Sequence, residues 1–252
     1  MQPIVILVGY ARSGITVFNR CIASDQRLVC LSEINSRFEC PTPLNKPHEQ
    51  MRAWYGISIA ESSILDEIGE VKRYTDREGK TLFIRDWSFG SFISLKYNDF
   101  SPPQTLNTID DIGLRYKITP FCIVRNPIDV WLSMKNSLKS FHDKHLEYLH
   151  LFTKDILRRG LPILKYEDLC SDPLGFLDKV YKLMNLTPIR TMSLSDNVTG
   201  DNNLSGFSRG SHLREVIRLE RRKLERGDAL FLLNNTRASE IMNVLNYSLD
   251  PL

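Results

Sequence analysis

Ile4-Val5-Ile6-Leu7-Val8-Gly9-Tyr10-Ala11-Arg12-Ser13-Gly14-Ile15-Thr16 opens on five consecutive apolar residues and turns polar at a glycine. A run with no polar alternation is the pattern of a parallel strand buried on both faces. A helix is predicted to follow from Thr16 to Ala23. Leu28–Leu31, Thr81–Ile84, Phe121–Val124 and Pro162–Leu164 are further short apolar runs. The predicted helices Glu49–Gly69, Ile128–Lys139, Lys144–Arg159 and Leu174–Met184 lie between and after them. Strands alternating with helices predict an α/β sheet with right-handed crossovers.

Gly9 to Thr16 has the glycine and threonine spacing of a P-loop, in which backbone N–H groups and a helix N-terminus cradle phosphate. One position departs from that pattern. The lysine that reaches the terminal phosphates of a nucleoside triphosphate is replaced by Ile15, which offers neither charge nor a hydrogen bond. This argues against a kinase or an NTPase and for a different anion. Arg12 offers a cation from another point on the loop.

Cys122-Ile123-Val124-Arg125-Asn126-Pro127-Ile128-Asp129-Val130-Trp131-Leu132-Ser133 runs from a buried strand into a helix, with Arg125 at the strand's carboxyl end. In an open α/β sheet, ligands lie beyond the carboxyl ends of the strands, so Arg125 and the first loop are expected to face one crevice. Two separated anion sites imply a ligand with two separated anionic groups.

These segments resemble the sulfotransferases that use 3′-phosphoadenosine 5′-phosphosulfate (PAPS). The Arg12-Ser13-Gly14-Ile15-Thr16 loop is similar to their 5′-phosphosulfate loop, and Arg125 with Ser133 to their 3′-phosphate segment. Pro162-Ile-Leu-Lys-Tyr166-Glu167-Asp168-Leu169 is similar to the segment whose tyrosine, here Tyr166, lies by the adenine. The resemblance spans nearly the whole chain and implies a single domain over residues 1–252, a three-layer P-loop-like α/β sandwich around a mainly parallel sheet. It also implies a closing lid. The polar stretch Ser193–Ser211 has the length and composition of one, and Arg209 with Gly210 is the candidate pair for the 3′-phosphate.

Sulfuryl transfer asks for alignment of the acceptor and stabilisation of charge on the leaving phosphate oxygen. The resemblance assigns charge stabilisation to Arg12 and nucleotide contacts to Ser13, Gly14, Ile15, Thr16, Arg125, Ser133, Tyr166, Arg209 and Gly210. It calls for no metal, and the product is adenosine 3′,5′-bisphosphate (PAP). Many cytosolic members carry a histidine after the third strand, where this chain has Arg85-Asp86-Trp87. Other branches, the tyrosylprotein and trehalose enzymes among them, use a glutamate after the second strand. Glu33 stands at that place and is the expected base, with Asp86 as the alternative. Another reading of Glu33 is a carboxylate that orients Arg12 or Arg85. Arg85 and Trp87 are the candidate acceptor contacts.

The remaining features narrow the field. Lys and Arg number 33 against 30 Asp and Glu in 252 residues, too even a balance to nominate nucleic acid or an acidic membrane. Arg214 to Arg226 is predicted as part of a solvated, ion-paired helix from about His212 to Arg226, followed by a last helix near Arg237–Asn246. His142, His145 and His150 do not share one helical face and are expected at the surface. The cysteines, 21, 30, 40, 122 and 170, are odd in number and mostly apolar in setting, which suits buried thiols in a reducing compartment. A strand begins at Ile4 and no apolar run reaches the length of a membrane span, so the expected setting is the cytoplasm. The acceptor expected is a small molecule, a secondary metabolite or toxin by analogy with small members of the family. The competing classes are a small-metabolite kinase and a non-catalytic nucleotide-binding regulator.

Overall fold

The structure is a computed structural model that describes residues 2–39, 44–93, 102–137, 142–189, 215–217, 219–220 and 222–248. The apolar run after Pro3 forms β1 (Ile4–Val8), and α1 (Ile15–Ile22) follows the loop. In chain order come β2 (Leu28–Ile34), α2 (Pro47–Tyr55), α3 (Ile64–Arg77), β3 (Thr81–Asp86), α4 (Asn107–Gly113), β4 (Ile118–Val124), α5 (Pro127–Ser137), α6 (His142–Arg158), β5 (Ile163–Lys165), α7 (Tyr166–Ser171), α8 (Pro173–Leu183), α9 (Arg226–Leu233) and α10 (Thr236–Val244). The five strands form one sheet in the order β2-β3-β1-β4-β5, and every pairing is parallel.

β1 is central and buried along its whole length, as an unbroken apolar run requires. Its alternate residues feed two cores. Ile4, Ile6 and Val8 pack with Met51, Ile68, Val71, Phe152 and Ile241 of α2, α3, α6 and α10. Val5 and Leu7 pack on the other face with Phe18 of α1 and with Phe176, Val180 and Tyr181 of α8. The result is helix, sheet, helix: three layers, with the carboxyl ends of β1, β3 and β4 side by side.

The outer edge of β2 is completed by side chains of α2. The Cys30 N–H donates to Tyr55 Oη at 2.7 Å, and that hydroxyl donates back to Cys30 O at 3.0 Å. Two residues on, the Ser32 N–H donates to Gln50 Oε1 at 2.8 Å, and Gln50 Nε2 donates to Ser32 O at 2.6 Å. A phenol and an amide thus occupy the places of a neighbouring strand, which satisfies buried backbone groups and blocks edge pairing.

Several boundaries differ from those expected. Glu49–Gly69 is two helices because Gly56 adopts a left-handed φ of 67° that ends α2, and Ser63 Oγ accepts from the Asp66 N–H at the start of α3. The helix expected over His212–Arg226 does not form at the described residues 215–217, 219–220 and 222–225; helix begins at Arg226 instead. Val216 packs on the α1/α8 core while Leu224 packs against the α5/α10 cluster, so the segment's apolar residues are claimed by separate surfaces. α4 and the single-turn α7 were not expected. His145 is also not a surface residue: it is 2% exposed, hydrogen-bonded through Nδ1 to Tyr10 Oη at 3.2 Å and stacked on Phe89. His150 pairs with Glu240 at 2.7 Å. Cys21, Cys30 and Cys122 are buried free thiols and Cys170 is partly buried; Cys40 lies outside the described residues.

Gln50→Leu removes the amide that pairs with both backbone groups of Ser32. The expected cost is about 2–3 kcal/mol in denaturant unfolding, the penalty for buried unpaired donors and acceptors. An unchanged midpoint would contradict this role for Gln50.

Candidate active site

The first loop leaves β1 at Gly9 and enters α1 at Gly14, whose φ of 84° is left-handed. A Cβ on Gly14 would lie 2.1 Å from Cδ2 of Tyr166, so only glycine lets this ring lie against the loop. No side chain caps the N-terminus of α1 and no acidic residue occupies its first turn, so the end of the helix favours an anion. Arg12 also has a positive φ, 72°, a costly conformation for a non-glycine residue.

Arg12 does not point away from the fold. Its Nε donates to Ser133 Oγ on α5 at 2.9 Å. Arg125, just beyond β4, reaches the carbonyl oxygen of Arg12 with Nη1 at 3.4 Å, and its guanidinium lies 5.1 Å from the centre of the Tyr166 ring. Three distant segments, at residues 9–16, 125–133 and 166, therefore meet beyond the sheet. The sequence motifs predicted that meeting.

The opposite end of the cleft is built on β2 and β3. Their register steps from Ser32↔Arg85 to Ile34↔Asp86, which leaves Glu33 as the extra residue of a bulge, at a φ of 56°. Glu33 forms an ion pair with Nη2 of Arg85, while Nη1 of Arg85 donates to Ser32 Oγ at 3.0 Å. The Glu33 side chain keeps 12% exposure and that of Arg85 keeps 4%. Arg85 Nε is buried with no hydrogen-bond partner, a donor that the fold alone does not satisfy.

Asp86 touches the same cleft but is 1% exposed, and its Oδ2 accepts from the Ser88 hydroxyl at 2.6 Å. Ser88 Oγ in turn accepts from the Gly9 N–H at 3.3 Å, which ties the start of the loop to β3. Burial pushes the Asp86 carboxyl up to about 6, against the opposing pull of the Ser88 hydroxyl. Of the two candidate carboxylates, Glu33 has the better access to a ligand. Trp87 is held with its ring against Gly90, where a Cβ would come within 2.4 Å, and it lines the cleft beside Phe89.

Gly14, Ile15, Thr16, Arg12, Arg85, Glu33, Asp86, Trp87, Arg125, Ser133 and Tyr166 all line one cleft. Ser13 is 2% exposed and is not among the residues that line the cleft. Arg209, Gly210 and the rest of the candidate lid lie outside the described residues. Arg20, Asp129, Glu215, Ile217, Leu219 and Arg222 also line the cleft and were not expected there. Arg20 lies one helical turn beyond Thr16, and Asp129 one turn before Ser133. That spacing is the signal that would have found them.

No protein-family model matches the chain, and no curated protein is similar to it in sequence. Solved structures match it in fold. The sulfotransferase domain of the olefin synthase from Synechococcus PCC 7002 matches with a TM-score of 0.66 at 15% identity, over 98% of this chain and 95% of that chain. The sulfotransferase domain from the curacin biosynthetic pathway matches with a TM-score of 0.56 at 14% identity, over 98% and 99%. A sulfotransferase from Alicyclobacillus acidocaldarius matches with a TM-score of 0.52 at 12% identity, over 98% and 97%. At these identities the likeness is one of fold, and it extends over the whole α/β sandwich.

The raised carboxyl of Asp86 has a measurable consequence. Between the usual carboxylate value near 4 and about 6, the folded chain keeps a proton that the unfolded chain releases, so stability falls as pH rises. Asp86→Asn removes that dependence. Its stability relative to the unsubstituted protein is expected to increase by up to roughly 3 kcal/mol from pH 4 to pH 6.5 and then level off. Parallel stability curves would show that Asp86 does not titrate in this window.

Proposed function

We propose that this chain transfers a sulfuryl group from PAPS to a hydroxyl of a small acceptor and releases adenosine 3′,5′-bisphosphate. The observation that carries the proposal is the meeting of Arg12, Arg125 and Ser133 beside the bare N-terminus of α1. This cluster offers two cationic points on a loop that lacks the lysine of a nucleotide kinase, within the fold of sulfotransferase domains. A hydroxyl acceptor is preferred to an amine because its proton requires a base. A role in tailoring a secondary metabolite, or a toxin, fits the biosynthetic setting named for the curacin domain.

In this reading the residues of the cleft take the roles that the resemblance implies. The N-terminus of α1 with Ser13, Gly14, Ile15 and Thr16 holds the 5′-phosphate, and Arg125 with Ser133 holds the 3′-phosphate. Tyr166, lying on Gly14, stacks near the adenine. Arg209 and Gly210 close the lid over the nucleotide. As the acceptor oxygen bonds to sulfur, the bond from sulfur to the 5′-phosphate oxygen breaks, and that oxygen leaves with the electron pair. Arg12 stabilises the charge that develops there, and Glu33 takes the acceptor proton. Asp86, held by Ser88, supports the loop and is the alternative base. The transferred group carries less charge than a phosphoryl group, so guanidinium groups suffice and no metal is called for. Arg85 and Trp87 meet the acceptor. The whole chain acts as one domain, and the free thiols support a reducing, cytoplasmic setting.

Two substitutions test the assignment. Arg125→Ala is expected to weaken binding of PAP by roughly 10²-fold, while adenosine 5′-phosphosulfate, which lacks the 3′-phosphate, binds as before; equal losses would contradict the two-anion reading. Glu33→Gln is expected to leave PAP affinity unchanged and to lower turnover by roughly 10²- to 10⁴-fold. Turnover retained in that variant would transfer the base role to Asp86.

A further inference from the structure

Tyr166 lines the cleft, whereas the carboxylate of its neighbour Glu167 is not part of the lining and ties its own segment to two others. Its Oε1 accepts from the backbone N–H of Asn126 at 2.9 Å, the residue directly after Arg125. Its Oε2 accepts from the hydroxyl of Tyr247 at 2.7 Å. Asn126 in turn uses its side-chain oxygen to accept from the Ile128 N–H at 3.0 Å, which fixes the entry into α5 and so the helix that carries Ser133.

Tyr247 is itself held in place. It follows α10, its N–H donates to Met242 O at 2.8 Å, and Lys165 Nζ lies 4.2 Å from the ring centre while donating to Asn246 O at 2.8 Å. Burial and the neighbouring Glu167 raise the phenol above its ordinary range, so the oxygen keeps its proton and remains a donor across working pH. A carboxylate bonded through both oxygens to donors on different elements has one orientation. The residues on either side of that bridge, Arg125 and Tyr166, are the ones assigned to the 3′-phosphate and the adenine.

We infer that Tyr247, through Glu167, is a positioning residue for the 3′-phosphate end of the donor site: the turn after α10 sets where Arg125 stands relative to Tyr166. This inference rests on the PAPS reading of the cleft. Among the described residues, Arg125 meets the Arg12 carbonyl at 3.4 Å and the face of the Tyr166 ring, and the anchoring of the adjacent Asn126 N–H holds its backbone. Charge-assisted hydrogen bonds of this kind are worth more than neutral ones.

Calorimetric titration of Tyr247→Phe and, separately, Glu167→Gln with PAP and with adenosine 5′-phosphosulfate tests the inference. Tyr247→Phe keeps the ring under Lys165 and loses only the hydroxyl. PAP affinity is expected to fall about fivefold with adenosine 5′-phosphosulfate affinity unchanged, while the unfolding midpoint falls only by the loss of one hydrogen bond. Glu167→Gln retains one acceptor oxygen and is expected to show the same selectivity for the 3′-phosphate. Equal affinity for PAP in both variants and the unsubstituted protein would overturn the inference. So would an equal loss on both nucleotides accompanied by a lower unfolding midpoint, which marks a structural role alone. If the unsubstituted protein bound no PAP, the donor reading itself would fail, an outcome distinct from failure of the brace.

Discussion

The parallel pairing of β1 with both β3 and β4 is the constraint from which the site derives. β1 registers Leu7 against Arg85 on one side and Val8 against Cys122 on the other, so the three chains leave the sheet at nearly the same height. The residues at and beyond that edge, Asp86 at the end of β3 and Arg12 and Arg125 past β1 and β4, are brought together although they are far apart in sequence. The central strand pays no penalty for being fully covered because it is apolar on both faces and its backbone groups are paired on both sides. A polar substitution in β1 would therefore disturb the core that its side chain enters, and with it the strand from which the cleft loop departs.

The site departs from regular structure in a way that costs stability. Arg12 and Glu33 both hold left-handed backbone angles without being glycine, and both line the cleft. At Glu33 the departure is a bulge, and the edge strand that carries it is steadied from outside by Gln50 and Tyr55 of α2. The polar bonds around Asn35 continue that support. Asn107 on α4 donates to Asn35 Oδ1 at 3.0 Å and accepts from the Ser91 hydroxyl at 2.6 Å, which fixes the loops after β2 and β3 against each other. The Arg125 end of the cleft is held independently, through Glu167 and Tyr247.

Much of this arrangement was legible in the residues because it follows local patterns. An apolar run, a glycine loop and a helix announce β1, the anion loop and α1. The step from Arg125 to Ser133 was identifiable as a strand end running into a helix, and the Tyr166 segment through its resemblance to sulfotransferases, although the helix that Tyr166 begins was not expected. What was not legible depends on long-range contact. Nothing in Leu31-Ser32-Glu33-Ile34 marks a bulge, since the extra residue is defined only by its pairing with Arg85 and Asp86. His145 reads as a charged-helix residue, yet Tyr10 and Phe89 enclose it. The charged stretch before Arg226 has helical composition, but its apolar side chains are claimed by different surfaces, and tertiary packing overrides propensity there.

The central claim is that the cleft holds a nucleotide with separate 5′ and 3′ anions and not a triphosphate. Calorimetric titration of the protein with 3′-phosphoadenosine 5′-phosphate and with ATP, both without magnesium, tests it most directly. The account predicts selective binding of the bisphosphate. Binding of ATP as tight or tighter, or binding of neither nucleotide, would contradict it.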